Sequence, residues 1–188
     1  MLKFLLASTL CALTFAQKAF LQDSNKIGQS ISGDDKQRIW AMKKYISPQK
    51  CDYYLQFQNI FNYCSDQDYI LAFGHHYCEE FRIHRDEFQV KEWVDDARTC
   101  LQQSLQDKAM TAETYPTCDQ IKDWGFNSHQ NCYVKPSQDH QDISWCKLPI
   151  HDQTLVAWIC RGAYWEFVLQ GIPILMKCFT GTSIEILE

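Results

Sequence analysis

The chain has 188 residues, enough for one domain, and its 46% hydrophobic against 22% charged residues suffice for a packed core. The formal net charge is −5 and no basic run is present, which argues against a nucleic-acid partner. These values favour one packed domain with an acidic, solvent-facing surface.

The first 16 residues have the pattern of a secretory signal peptide, with Lys3 near the start, an apolar middle and small residues at the end. This stretch is too short to span a bilayer, and no other stretch approaches about 20 apolar residues. Cleavage is predicted after Ala16, so the mature protein is expected to be secreted, extracellular and without a membrane span. The polar residues 17–34 are expected to form a flexible leader.

Two short helices are predicted at the start of the mature domain. Residues 35–45 have apolar residues at helical spacing, and Ser32 precedes them as an N-cap. Ser47 and Pro48 are predicted to begin the second helix, because Ser is favoured as an N-cap and Pro in the first turn.

Residues 66–81 (DQDYILAFGHHYCEEF) form the next predicted helix. Gly74 lies inside it, where glycine costs about 1 kcal/mol relative to alanine. Close approach of a neighbouring helix would explain this glycine, and a kink is the alternative. The polar residues 83–87 are predicted to separate this helix from the next.

The strongest pattern is residues 87–107, which we interpret as a central helix. One apolar stripe follows a 3.6-residue period and comprises Val90, Trp93, Val94, Ala97, Cys100, Leu101 and Leu105. The opposite face is expected to meet solvent and comprises Lys91, Glu92, Asp95, Arg98 and Gln102.

Two further helices are predicted after the central one. Pro116 is expected to begin a helix over residues 117–133. Asp152 is expected to cap a last helix, which Gly171 and Pro173 would end.

No stretch of the body alternates convincingly as a strand. The expected fold is therefore all-α, a disulfide-stapled bundle of six to seven short helices around the central helix. The helical, disulfide-rich domain is assigned to residues 35–170, and residues 171–188 are assigned to a C-terminal tail.

Cysteine supplies a second constraint on the fold. Of the ten cysteines, Cys11 lies in the signal peptide, and the mature chain keeps Cys51, Cys64, Cys78, Cys100, Cys118, Cys132, Cys146, Cys160 and Cys178. In an exported protein these predict disulfides, with one thiol free or paired between chains. The absence of CxxC argues against a zinc ribbon or a thioredoxin-type site. Spacing alone does not select the pairing, because even eight cysteines allow about 105 connectivities.

Several of these segments resemble the stanniocalcins. The resemblance covers residues 51–160 and rests on NYCSDQDYILAFGHHYCEEF, on WVDDARTCLQQSL, and on a helix that opens TCDQIKDW and closes SHQNCY. Stanniocalcins are secreted, all-helical, disulfide-rich glycoprotein hormones that usually form disulfide-linked homodimers. The resemblance implies a secreted, non-enzymatic signalling or regulatory protein that binds an unknown receptor or target. The mature chain departs from the family in lacking an N-x-S/T sequon.

The resemblance also implies a disulfide pattern. It pairs Cys51 with Cys64, Cys78 with Cys118, Cys100 with Cys132, and Cys146 with Cys160. Cys178 would remain near the C-terminus for an intermolecular bridge, which implies a homodimer.

The most tempting metal-ligand pattern is His75 and His76 followed by Glu79 and Glu80. Each His–Glu pair is spaced i, i+4 and can share a helix face, as a metal site requires. The two pairs point about 100° apart on a helix, however, and HExxH is absent. We therefore interpret them as helix-supporting polar pairs and predict neither a metal nor a cofactor.

Two other functional readings stay open. A small secreted hydrolase of the lipase-like kind would assemble its site from His75, His76 or His129. Ser128 beside His129 is an unsuitable couple, because adjacent residues do not face one another on a helix. A secreted carrier of lipophilic ligands would use a pocket lined by an aromatic last helix, which contains Trp158, Tyr164, Trp165 and Phe167. No catalytic residue is assigned.

Overall fold

The computed structural model describes residues 25–180, apart from the side chains of residues 164–167, 170 and 180. Within that range the fold contains seven α-helices, joined by shorter helical turns and loops, and no β-strand. The all-α, disulfide-stapled prediction is confirmed. The predicted signal peptide and its cleavage site lie outside the described residues, as do residues 181–188 of the predicted tail.

The helices, numbered in chain order, are α1 Gly33–Ala41, α2 Asp52–Ile60, α3 His76–Ile83, α4 Lys91–Thr111, α5 Cys118–Val134, α6 Ile150–Ile159 and α7 Tyr164–Thr180. A π-helical turn, Ile70–His75, leads directly into α3. Single 3₁₀ turns occupy Met42–Tyr45, Arg85–Glu87, Trp145–Lys147 and Cys160–Ala163.

The end of the predicted leader pairs with the loop after α4. Isolated β-bridges join Ile27 to Tyr115 and Ser30 to Thr114. Helix α1 then begins as expected, because the Ser32 hydroxyl accepts a hydrogen bond from the backbone N–H of Asp35 at 3.1 Å.

Helix α4 is the central helix that the sequence predicts, displaced toward the C-terminus relative to residues 87–107. It packs along α5 and contributes to two clusters of buried side chains. The first core cluster is built mainly on α1, α2 and the C-terminal half of α4, and includes Ile39, Tyr53, Tyr54, Phe57, Phe61, Tyr69, Ile70, Leu105 and Ile121. The second core cluster is built on the N-terminal half of α4 with α5 and α6, and includes Phe81, Trp93, Val94, Ala97, Tyr133, Trp145, Val156, Ile159 and Ile174.

The prediction that Arg98 and Gln102 face solvent is wrong. Their exposed fractions are 3% and 0%. The loop between α1 and α2 crosses this face of α4, and the Gln102 amide bonds the backbone of Ser47 twice, as acceptor at 3.2 Å and as donor at 3.1 Å. Helix α4 is therefore covered on more than the one side that its apolar stripe indicates.

The same contact explains why Ser47 and Pro48 do not begin a helix. The backbone groups of Ser47 are occupied by Gln102, and the carbonyl of Pro48 accepts a hydrogen bond from Arg98. Helix α2 begins only at Asp52.

Asp152 does not cap its own helix either. It lies in the first turn of α6, and its fully buried carboxylate accepts hydrogen bonds from the backbone N–H groups of Gln89 and Val90 at 3.0 and 2.9 Å. Burial raises the pKa of this carboxyl, but those bonds and one from His151 outweigh it and hold the pKa below its ordinary value.

Gly171 and Pro173 do not end the last helix, since α7 continues through both to Thr180. Tertiary contacts override the helix-breaking tendency of proline, which is about 3 kcal/mol. Ile174 is 3% exposed, and Cys178 is tied by a disulfide to the turn that holds Cys146. The predicted tail therefore starts as a packed helix.

Four disulfides staple the described part of the chain: Cys51 with Cys78, Cys64 with Cys118, Cys100 with Cys132, and Cys146 with Cys178. Their Cα atoms lie 5.3 to 5.9 Å apart, within the range of unstrained bridges. Of the pairings implied by the resemblance, Cys100 with Cys132 is confirmed and the other three are wrong. Cys178 is bridged within the chain, so it is not available for an intermolecular bridge, and Cys160 is the unpaired cysteine of the described residues.

Gly74 and Gly125 mark two close approaches of aromatic rings to the backbone. A Cβ atom added at Gly74 would lie 2.5 Å from the Tyr54 ring, and one at Gly125 would overlap the Tyr69 ring. The expected reason for Gly74 is confirmed, although the ring comes from α2 and meets the π-helical turn rather than α3. These two rings lie beside the cavity described next.

Candidate functional site: an apolar cavity between the two core clusters

A cavity of about 290 Å³ lies where the two core clusters meet. Its walls include Tyr54, Tyr69 and Cys78 of the first cluster and Phe81, Tyr133, Trp145 and Ile174 of the second. Because side chains from both clusters line it, the cavity is a gap between two packed units of the fold.

Aromatic side chains form much of the wall. Phe126 on α5 packs edge-to-face on Tyr69 and on Phe73, with ring centroids 5.2 and 5.5 Å apart. Tyr133 lies in a parallel arrangement with Trp145 at 6.0 Å. Rings held against one another in this way form rigid walls, and the missing side chain of Gly74 leaves room between them.

Helix α7 borders the cavity on the side that meets solvent. Ile172 and Leu175 line the cavity and are also 55% and 48% exposed, whereas Ile174 is buried. The cavity therefore extends from the interior to the surface beside α7. On either side of these residues in the same helix, Leu169 and Phe179 are exposed large apolar residues.

Besides the phenol groups of four tyrosines, three titratable side chains contribute to a mainly apolar wall: Arg98 from α4, His129 from α5 and Cys160 from the turn before α7. A few polar groups in an apolar concavity are typical of ligand-binding sites. The three differ in their protonation state and in their hydrogen bonds, as described next.

Arg98 is a buried cation. Its guanidinium donates to the carbonyl of Pro48 and to the sulfurs of Cys51 and Cys78, at 3.3 and 3.6 Å. Its Nε has no hydrogen-bond partner within residues 25–180. Burial lowers the pKa of Arg98 from its ordinary value, while the carboxylates of Asp95 and Glu79 act in the opposite direction.

His129 points its Nδ1 at the carbonyls of Gly125 and Phe126 in its own helix, at 2.9 and 3.2 Å. Burial lowers the pKa of His129, and the two carbonyls only partly oppose this. The neutral ring with Nδ1–H as the donor is therefore the state that this geometry favours.

Cys160 carries a thiol rather than a thiolate. Its sulfur is half-buried beside the cavity, and burial raises the pKa of the thiol to about 12. A thiol with so high a pKa is a weak nucleophile at neutral pH.

The residues considered for hydrolysis do not form a couple. Ser128 donates its hydroxyl to the Gly125 carbonyl at 2.6 Å, and the His129 ring bonds the same carbonyl. His75 and His76 lie at the junction of the π-helical turn with α3 and do not line the cavity.

The His–Glu pairs do not converge on a metal site either. Glu79 pairs with Arg82 at 2.7 Å, and Glu80 lies 4.0 Å from His84. Within residues 25–180, the cluster of potential ligands that does converge is Cys64, Asp68 and Cys118, but its two sulfurs form a disulfide and offer no thiolate.

The prediction of an aromatic last helix lining the pocket is wrong for Trp158 and untested for the other three residues. Trp158 is 46% exposed, lies outside the cavity wall and stacks with Arg161 at 4.1 Å. The side chains of Tyr164, Trp165 and Phe167 lie outside those described. Among the side chains of α7 that the structure describes, those lining the cavity are aliphatic and include Val168, Ile172 and Leu175.

Sequence reasoning missed Arg98 as a cavity residue. A signal was available: Arg98 follows Val94 by four residues and precedes Leu101 by three, so it lies at the border of the buried stripe. The aromatic part of the wall was harder to predict from the sequence, because its rings come from four separate segments that meet only in the folded structure.

Within residues 25–180, none of the helices has the length and apolar character needed to cross a bilayer. The four bridges within the chain are consistent with an extracellular protein. Comparisons with protein-family models, with curated proteins and with solved structures gave no match to this chain.

Proposed function

We propose that this protein is a secreted, non-enzymatic regulatory binding protein that holds one small apolar ligand in the cavity between its two core clusters. The observation behind this proposal is the cavity itself. Its volume of about 290 Å³ is near the lower end of the ligand-site range, which starts at about 300 Å³.

Well-packed protein interiors contain few voids much larger than a water molecule, so a gap of this size is unusual in a chain of 188 residues. An apolar wall offers water few hydrogen-bond partners. Covering that wall with a ligand gains about 25 cal/mol per Å² of apolar surface removed from water. An apolar molecule that enters beside α7 is thus the occupant that the wall favours.

The resemblance to stanniocalcins supports the regulatory and non-enzymatic part of the proposal. The bridge of Cys100 with Cys132, which joins α4 to α5, is one of the pairings that the resemblance implies. Dimerisation through Cys178 is not part of the proposal, because that sulfur is bonded to Cys146.

A cavity-filling variant tests the proposal directly. Ala163, 9% exposed, lines the cavity, so Ala163→Leu should reduce the affinity for an apolar probe such as dodecanol by at least about tenfold, as expected for a clash of about 1–3 kcal/mol. Ala157→Leu is the matched control, because Ala157 is exposed on α6 and outside the cavity wall. Native mass spectrometry of the purified protein should show a bound lipophile in the wild type and in the control but not in Ala163→Leu.

Two results would contradict the proposal. One is a wild-type protein that is free of ligand and does not bind dodecanol. The other is equal dodecanol affinity in both alanine variants, which would place the binding elsewhere.

A further inference from the structure

Arg98 is a buried cation at the wall of the cavity, and it has no ion-pair partner among the described residues. Its side chain is 3% exposed, and it forms no ion pair with any residue from 25 to 180. The two carboxylates whose charges act on Arg98 already have other partners: Asp95 pairs with Arg85 at 2.6 Å, and Glu79 pairs with Arg82 at 2.7 Å.

The hydrogen bonds of Arg98 are also incomplete. A guanidinium has five N–H donors. The carbonyl of Pro48 takes one, and the disulfide sulfurs of Cys51 and Cys78 are weak acceptors at 3.3 and 3.6 Å. The Nε–H has no partner. Buried charges are ordinarily paired or fully hydrogen-bonded, because an unpaired buried charge is strongly unfavourable.

Arg98 and the apolar side chains line the same cavity. Aromatic and aliphatic side chains such as Phe81, Leu101 and Ile174 surround the space that Arg98 also borders. A ligand that satisfies both features needs an apolar body and one negatively charged group. A neutral apolar ligand would give Arg98 no direct ion-pair partner.

We infer that the ligand is a single-chain amphiphile with a carboxylate head, of the fatty-acid class, whose chain fills the apolar cavity and whose carboxylate pairs with Arg98. This inference rests on the proposed function and specifies the class of its ligand. A cavity of about 290 Å³ suits one acyl chain and is too small for a two-chain lipid. A planar guanidinium also matches the two oxygens of a carboxylate.

The test compares two probes of equal chain length, laurate and dodecanol, on the full, disulfide-intact protein by isothermal titration calorimetry at neutral pH. Laurate should bind about 10- to 100-fold more tightly than dodecanol, as expected for a hydrogen-bonded charge pair. Arg98→Met should remove this preference, so that laurate and dodecanol bind with equal affinity within about threefold, because it removes the charge and keeps an unbranched side chain. Arg98→Lys should keep part of the preference because it keeps the charge.

Arg38→Met is the matched control, since it removes a cation from α1, outside the cavity wall, and should leave the preference unchanged. Equal binding of laurate and dodecanol by the wild type would overturn the inference, as would an undiminished preference in Arg98→Met. If Arg98→Met does not fold, the wild-type comparison and Arg98→Lys decide the matter. Binding of neither probe would instead overturn the proposed function itself.

Discussion

The carboxylate of Asp152 accepts a hydrogen bond from the backbone N–H of Val90, 62 positions earlier in the chain, at 2.9 Å. Val90 is the N-cap of the central helix α4, and no side chain of the N-cap residue bonds the first turn. Asp152 therefore supplies, from α6, a negative charge at the positive end of α4. This contact fixes the start of the helix on which Arg98 is placed.

We predict that Asp152→Asn destabilises the protein by about 1–3 kcal/mol, because it removes the charge from a buried acceptor of two backbone N–H bonds. Urea unfolding measures the change. Asp142→Asn is the control, since Asp142 is fully exposed and should change stability by less than about 0.5 kcal/mol.

The same substitution should alter the response to acid. Although burial opposes it, hydrogen bonding from Gln89, His151 and Val90 holds the pKa of Asp152 below its ordinary value. Ionised Asp152 thus stabilises the fold above the pKa of an unfolded aspartate, about 3.9, and this contribution is lost as the pH falls through the folded pKa. The stability difference between wild type and Asp152→Asn should be largest near neutral pH and shrink in acid. A difference that grows as the pH falls would refute this assignment.

Two glycine-to-alanine substitutions should change the stability of the protein in opposite directions. Gly125→Ala places a methyl group in the Tyr69 ring, and we expect it to destabilise by about 1–3 kcal/mol. Gly171→Ala lies in the interior of α7 with no described atom within 4 Å of the added carbon, and should stabilise by about 0.5–1 kcal/mol. Thermal unfolding of both variants measures this. Loss of stability in Gly171→Ala, or none in Gly125→Ala, would show that the α5 and α7 packing described above is incorrect.

Cys160 provides a chemical reporter for the cavity. Because burial raises the pKa of its thiol to about 12, modification by Ellman's reagent at pH 8 should be slower than for an ordinary thiol with a pKa of about 8.5. Saturating ligand should slow it further, since Cys160 lines the cavity. Cys160→Ser is the control and should show no reactive thiol in the native mature protein. Rapid labelling of Cys160 that ligand does not affect would contradict its position at the wall.

The bridge of Cys146 with Cys178 makes a prediction about assembly. Cys178→Ser should leave the band on a non-reducing gel at the monomer mass, as in the wild type, expose a new thiol at Cys146 and destabilise the protein by about 2–4 kcal/mol. Peptide mapping locates the thiol. A wild-type band at twice the monomer mass that disappears in Cys178→Ser would instead support the intermolecular bridge that the family resemblance implies.

Helical periodicity was sufficient to predict the all-α class, because apolar spacing within a segment depends only on that segment. The position of α4 and the capping role of Ser32 follow from such local rules. Contacts between distant segments were not predictable in this way. The local sequence predicts Ser47 as an N-cap, yet its backbone N–H donates a hydrogen bond to the side chain of Gln102, 55 positions away.

The disulfide pairing and the cavity depend on those distant contacts as well. Cys64 lies 54 positions from its partner Cys118, and nothing in the spacing selects that partner. Arginine is a residue type that usually faces solvent. Arg98 is buried because the loop between α1 and α2 and the other residues of the cavity wall cover it. The candidate site was therefore anticipated only as a general possibility, a lipophilic pocket near the last helix.

The most direct test of the central claim is a calorimetric titration of the ligand-stripped wild-type protein with dodecanol. The structure predicts saturable binding of one molecule per chain, with a negative heat-capacity change from the burial of apolar surface, and a loss of affinity in Ala163→Leu but not in Ala157→Leu. Absence of saturable binding, or binding that both alanine variants retain equally, would contradict the claim that the cavity between the two core clusters is a ligand site.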